Sequence, residues 1–200
     1  MKSLMCEKKG VHLIHIYEWE LKDPYWSKLR LFLEKELADD IKISVADVII
    51  KEIPKKEAYT FLSKNSLYDV KDSQVYFGVY RHHNLFQVVS FSRHDRDTWE
   101  ILNLCVSKHA NIEIEIFNEI LSQFVHKFHP KSILAESDFN KFSGKLFEKA
   151  GMKLIKEIVP NEVILSNWKP AKTTKHSTEN VLLYGAGIKK FKLKVKEETI

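Results

Sequence analysis

The 200 residues, 44% hydrophobic and 30% charged, suffice to bury a core in one domain and are too apolar for a disordered chain. No apolar run approaches the roughly 18 residues that cross a bilayer, and Met1 to Gly10 lacks the apolar stretch of a signal peptide. These features exclude a membrane partner and predict a cytoplasmic protein. The net charge of +5 suits an anionic partner, such as nucleic acid or a phosphate-bearing cofactor, and equally suits a lysine-rich solvated surface.

In chain order, Val11 to Tyr17 reads as a short strand. Pro24 stands at a first helical turn, and Trp26, Leu29, Leu33 and Leu37 recur at helical spacing. Val45, Val48, Ile49, Ile50 and Ile53 mark a β-rich segment, and Pro54 opens a second helix bearing Ala58, Phe61 and Leu62. Val75–Tyr80 and Leu85–Phe91 flank the turn-like Arg81-His82-His83-Asn84 and predict a hairpin. Trp99 to Val106 is the next strand; Cys105 lies within it, and with Cys6 far away no metal spacing arises. Ile112, Ile116, Ile120, Leu121, Phe124 and Phe128 form an amphipathic helix that Pro130 ends. Ser132 to Ala135 is a buried strand, and a short helix around Leu146-Phe147 stops at Gly151. Met152–Val159 and Val163–Trp168 predict two strands around the turn at Pro160-Asn161. A polar stretch, Lys169 to Asn180, precedes a β-patterned tail at Val181–Tyr184 and Phe191–Leu193. The expected organisation is an N-terminal extension over 1–42, a main domain over 43–168, and a tail over 169–200 packing on it.

This order calls for an α/β domain, more narrowly an α+β mixed sheet, mostly antiparallel, with helices on both faces. It resembles the GNAT acyltransferase order, and the run Leu146-Phe147-Glu148-Lys149-Ala150-Gly151-Met152 resembles that family's penultimate helix entering a strand. A narrower resemblance rests on Gly10–Glu20, Trp99–Cys105, Asp138–Met152 and Leu183–Phe191. These segments are similar to the C-terminal, GNAT-like region of phage homing-endonuclease-like proteins and to Mom-like transferases that modify DNA bases. The resemblance implies a phage-type protein that keeps this region without the nuclease.

The resemblance also implies acetyl-CoA or a related acyl-CoA as cofactor. Its pyrophosphate would meet backbone N–H groups at the start of the long helix, where unpaired amides and the helix dipole favour anions. This assigns Leu104, Val106, Lys108, His109 and Asn111 to the cofactor. The segment Ser107-Lys108-His109-Ala110-Asn111 has no glycine; an ordinary N-cap at Asn111 is the alternative. Phe147 stands where the family often places a proton-donating Tyr, and Asn103 where the narrower relatives have Arg.

Asp138 follows the strand at Ala135, where α/β sheets place their ligand crevices. It is a candidate base, or else an Asx turn. Glu136 shares its face if the strand continues. Glu100 lies in an apolar strand, where alternation puts it on one face with Leu102 and Leu104; a charge there needs a partner or reaches water at an edge. His82, His83 and His94 lack the surroundings of a metal site. Arg81, Arg93 and Arg96, with Lys108, are expected to form a basic rim for DNA phosphates, or a scattered charged loop. Two functions follow: acyl transfer to an amine, with DNA or a nucleobase as one acceptor, or a degenerate module that binds DNA or a host protein without turnover. An accessory protein that blocks a host defence is a third.

Overall fold

The computed structural model describes residues 2–37, 43–107, 113–157, 162–166, 169–170 and 180–195. Alternating Val, Ile and aromatic residues form the strands β1 (Ile49–Glu52), β2 (Val75–Arg81), β3 (Asn84–Arg93), β4 (Thr98–Val106), β5 (Ser132–Asp138) and β6 (Lys153–Glu157). β7 (Glu162–Ser166), β8 (Lys169–Pro170), β9 (Asn180–Tyr184) and β10 (Ile188–Lys194) follow. Five α-helices accompany them among the described residues: α1 (Lys2–Lys8), α2 (Tyr25–Glu36), α3 (Lys55–Asn65), α4 (Ile114–Phe128) and α5 (Lys145–Lys149). No helix among the described residues is long and apolar enough to cross a membrane.

Seven strands form one mixed sheet in the order β1-β2-β3-β4-β5-β10-β6. Every neighbouring pair is antiparallel except β4 and β5. The tail therefore completes the sheet: β10 lies between β5 and β6. The expected partner of β6 was the adjacent segment, but that segment, β7, pairs with β8 and β9 in a separate three-stranded sheet. Burial explains the choice. Phe191 of β10 is fully buried and meets Phe147, 5.4 Å between ring centroids.

Each face of the sheet has its own core. On one, Phe91 stacks on Phe124 of α4 at 3.9 Å, with Phe77 and Trp99 edge-on to the same ring. On the other, Ala58, Phe61 and Leu62 of α3 cover Tyr76, Val88 and Cys105. Val11 to Tyr17 forms no strand. Val11 and Ile16 are exposed, and the segment crosses the end of β5 through a hydrogen bond from the His15 N–H to the Asn140 carbonyl, 2.8 Å.

Asn103 of β4 points into the α3 side and is nearly buried. It accepts from the Lys71 N–H at 3.0 Å and donates to the Lys71 carbonyl and the Ser90 hydroxyl, each at 2.7 Å. It ties the 66–74 loop to the sheet. Asn103→Leu leaves the Lys71 N–H without its partner, and the Lys71 carbonyl and the Ser90 hydroxyl with only the Ser73 hydroxyl, so urea denaturation should show a loss of about 1–3 kcal/mol.

Candidate functional site

β4 and β5 pair only over Thr98–Ile101 and Ser132–Ala135. Beyond that, β4 continues to Val106 along β3, and β5 continues to Asp138 along β10. The two strands part from Leu102 and Glu136 onward, opening a notch at their carboxyl ends, where open α/β sheets bind ligands. The cause is a bulge in β4. Ser90 faces Asn103 while Phe91 faces Ile101, leaving Leu102 as the extra residue, and a bulge bends its strand. Backbone N–H and C=O groups of Leu102–Val106 that would have met β5 are left facing the notch. The same bulge corrects the expected alternation. Leu104 packs into the α4-side core, whereas Glu100 stays on the other face, beside Leu134.

Two carboxylates flank the apex. Glu100 lies one residue before the last β4–β5 pair, and Glu136 one residue past it. Strand spacings put their Cα atoms about 8 Å apart. Their side chains are 23% and 28% exposed. His94 Nδ1 is 3.7 Å from Glu100 Oε2. Lys190, opposite Glu136 on β10, is ion-paired to it, and that carboxylate raises the ammonium pKa above its ordinary value.

Asp138 is tied up. Its Oδ1 accepts from the Asn140 N–H at 2.9 Å and from Asn140 Nδ2 at 2.6 Å, and its Oδ2 accepts from the Tyr68 hydroxyl. The Asx-turn alternative is the one adopted. Burial, then the Asp138 charge, push the Tyr68 phenol far above its usual range. Around this pair the N-terminal segment closes a network that single-residue reading missed. Asn140 Oδ1 accepts from the Tyr17 hydroxyl at 2.8 Å and from the Ala186 N–H at 2.7 Å. Lys141, 1% exposed, donates to the His15 carbonyl and to Glu20 Oε2, the latter at 2.8 Å. Burial, reinforced by the Lys141 charge, lowers the His15 pKa. A Cβ on Gly185 would stand 3.2 Å from Asn140 and 3.3 Å from Tyr17. The available signal was that three resembling segments, Gly10–Glu20, Asp138–Met152 and Leu183–Phe191, meet here.

Of the residues assigned to the cofactor, Lys108, His109 and Asn111 lie outside the described residues. Leu104 and Val106 pack their side chains into the core and leave only backbone for the notch. Gln87 was missed. It faces Val106 across β3 and β4, is fully buried, and neither amide atom has a hydrogen-bond partner among the described residues. Such a group is costly unless something satisfies it. Phe147 is a core residue, 7% exposed, against Phe117 and Phe191.

The basic rim does not assemble. Arg81 faces Asn84 at the hairpin end of β3. Arg93 stands at the other end, its guanidinium 5.2 Å above the Trp99 ring, with Arg96 in the turn beyond. The ten-residue strand between them is about 30 Å long. His94 is likewise separated from His82 and His83.

Solved structures share this fold. A ribosomal-protein-S5-alanine acetyltransferase from Vibrio fischeri matches with TM-score 0.53 at 13% identity, over 80% of this chain and 100% of its own. A Bacillus subtilis acetyltransferase in complex with CoA matches with TM-score 0.51 at 12% identity, over 74% and 98%. A spermidine N-acetyltransferase variant from Vibrio cholerae also gives TM-score 0.51 at 12% identity, over 74% and 94%. The chain has the GNAT acetyltransferase fold. No protein-family model and no curated protein matches it.

Proposed function

We propose that the protein transfers an acyl group from an acyl-CoA to an amine. The observation that carries this reading is the notch, a strip of β4 backbone that pairs with no strand on that side among the described residues and leads to two part-buried carboxylates at its apex. The residues present suit the cofactor. Peptide groups of Leu102–Val106 offer donors and acceptors to the amides of a pantetheine arm, and at the same end the buried amide of Gln87 has no partner among the described residues. Bound acyl-CoA would supply an activated thioester. The protein must hold the acceptor and take the proton that an ammonium loses before it can be acylated. Glu100 suits that task better than Asp138 or Glu136. Asp138 already accepts three hydrogen bonds, and Glu136 is held by Lys190.

The fold of the N-acetyltransferases supports an amine acceptor in general. Polyamines, peptide N-termini and amines of nucleobases in DNA are the classes to try. A module that binds without turnover is the second reading, favoured by the burial of Phe147 in the core. Thermal unfolding with acetyl-CoA and longer acyl-CoAs, followed by detection of free CoA with each acceptor class, separates the two. At a hundred times Kd a ligand adds about 2.7 kcal/mol to stability. Stabilisation with CoA release is the expected result. Stabilisation without release for every acceptor favours the binding module, and no stabilisation by any acyl-CoA contradicts acyl transfer and leaves the binding module standing.

A further inference from the structure

β6 and β10 gather lysines on one face of the sheet. Phe191 is buried against Phe147, so strand alternation turns Lys190, Lys192 and Lys194 to the opposite face. On β6, Lys153 stands opposite Lys192 and Lys156 opposite Lys190, and directly opposed residues share a face. Lys153, Lys156 and Lys194 are exposed, and the Lys190 side chain is 41% exposed. Glu136 is ion-paired to Lys190; the other four lysines have no ion-pair partner among the described residues.

Like charges directly opposed weaken a ladder, so the Lys192–Lys153 pair costs stability until a counter-charge covers it, whereas beside Lys156 the Lys190 charge is already met by Glu136. The charges repeat about every 6.6 Å along β10 and about 4.8 Å across to β6. That grid complements a ligand with a full negative charge at every step of its chain. We propose that this face binds the phosphodiester backbone of nucleic acid. Glu136 and Glu100 lie on the same face of β5 and β4, so bound nucleic acid extends toward the notch. The binding does not depend on acyl transfer and is measured without acyl-CoA.

The test is fluorescence anisotropy of the full chain with labelled duplex and single-stranded DNA across a salt series, with polyglutamate as competitor. Four unpaired lysines predict a slope of about −3.6 in log K against log salt on duplex, roughly a 150-fold loss between 50 and 200 mM. Lys153→Gln with Lys192→Gln should weaken binding and flatten the slope by about 1.8. Lys153→Arg with Lys192→Arg should bind as the wild type does. The Gln pair should also unfold no earlier than the wild type, since it relieves a like-charge contact. The proposal fails if the wild type binds neither DNA at 50 mM salt, if the Gln pair binds as tightly as the wild type, or if polyglutamate displaces DNA at equal charge. It also fails if Arg93→Gln with Arg96→Gln abolishes binding while the lysine pair does not.

Discussion

Glu100→Gln is expected to lower kcat for amine acylation by about 10²- to 10⁴-fold, the usual contribution of a positioned proton acceptor. The substitution keeps the shape of the side chain and removes its capacity to take a proton. Glu100 is 23% exposed, with His94 Nδ1 3.7 Å away, so the fold should tolerate the change and KM for acyl-CoA should stay within a few-fold. Glu136→Gln is the control. It frees Lys190 at the same apex and should cost less if Glu100 is the acceptor. Initial rates of CoA release over a pH series measure both. Equal losses for the two variants would assign the proton to the pair, and no loss for Glu100→Gln would remove it from the chemistry.

Lys141→Met should be the most damaging change to the network at the end of β5. Lys141 is 1% exposed and holds Glu20, whose side chain is 16% exposed, together with the His15 carbonyl. Removing one member of a buried pair leaves the other charge uncompensated, which costs about 3–5 kcal/mol. In a chain of this size each kcal/mol lowers Tm by about 2–4 °C, so a fall on the order of 10 °C is expected. Glu20→Gln added to Lys141→Met should recover part of it. A loss below about 1 kcal/mol would mean that the segment from His15 to Glu20 is not held as the geometry indicates.

The central strands were legible because adjacent segments with short turns pair with each other, as β2, β3 and β4 do. The long helix α4 was legible from its apolar stripe, of which Ile116, Ile120, Leu121 and Phe124 are buried. Pairing across long separations was not. β6 carries five exposed residues, and nothing in its sequence states that its partner lies beyond three intervening strands. Its place is decided by Phe191, whose burial brings β10 alongside β5. The bulge at Leu102 leaves no mark among the aliphatic residues Ile101, Leu102 and Leu104, so alternation misplaced Leu104 relative to Glu100. Asp138 was found as a residue but not as the centre of a network, because Tyr17 and Asn140 are 123 positions apart. Arg81 and Arg93 fell at opposite ends of the β2–β3 hairpin because a hairpin brings its ends together and carries its tip away.

The notch itself is the central claim, and backbone hydrogen exchange tests it most directly. In the free protein, amides of Leu102–Val106 that face the notch have lost their β5 partners and should exchange faster than the paired amides of β3. Saturating acetyl-CoA is predicted to slow them selectively, together with slower exchange around Gln87, while α3 and the β2–β3 turn stay unchanged. Slowing confined to other parts of the fold, or no slowing of Leu102–Val106 at acetyl-CoA concentrations that raise Tm, would contradict a cofactor seated between β4 and β5.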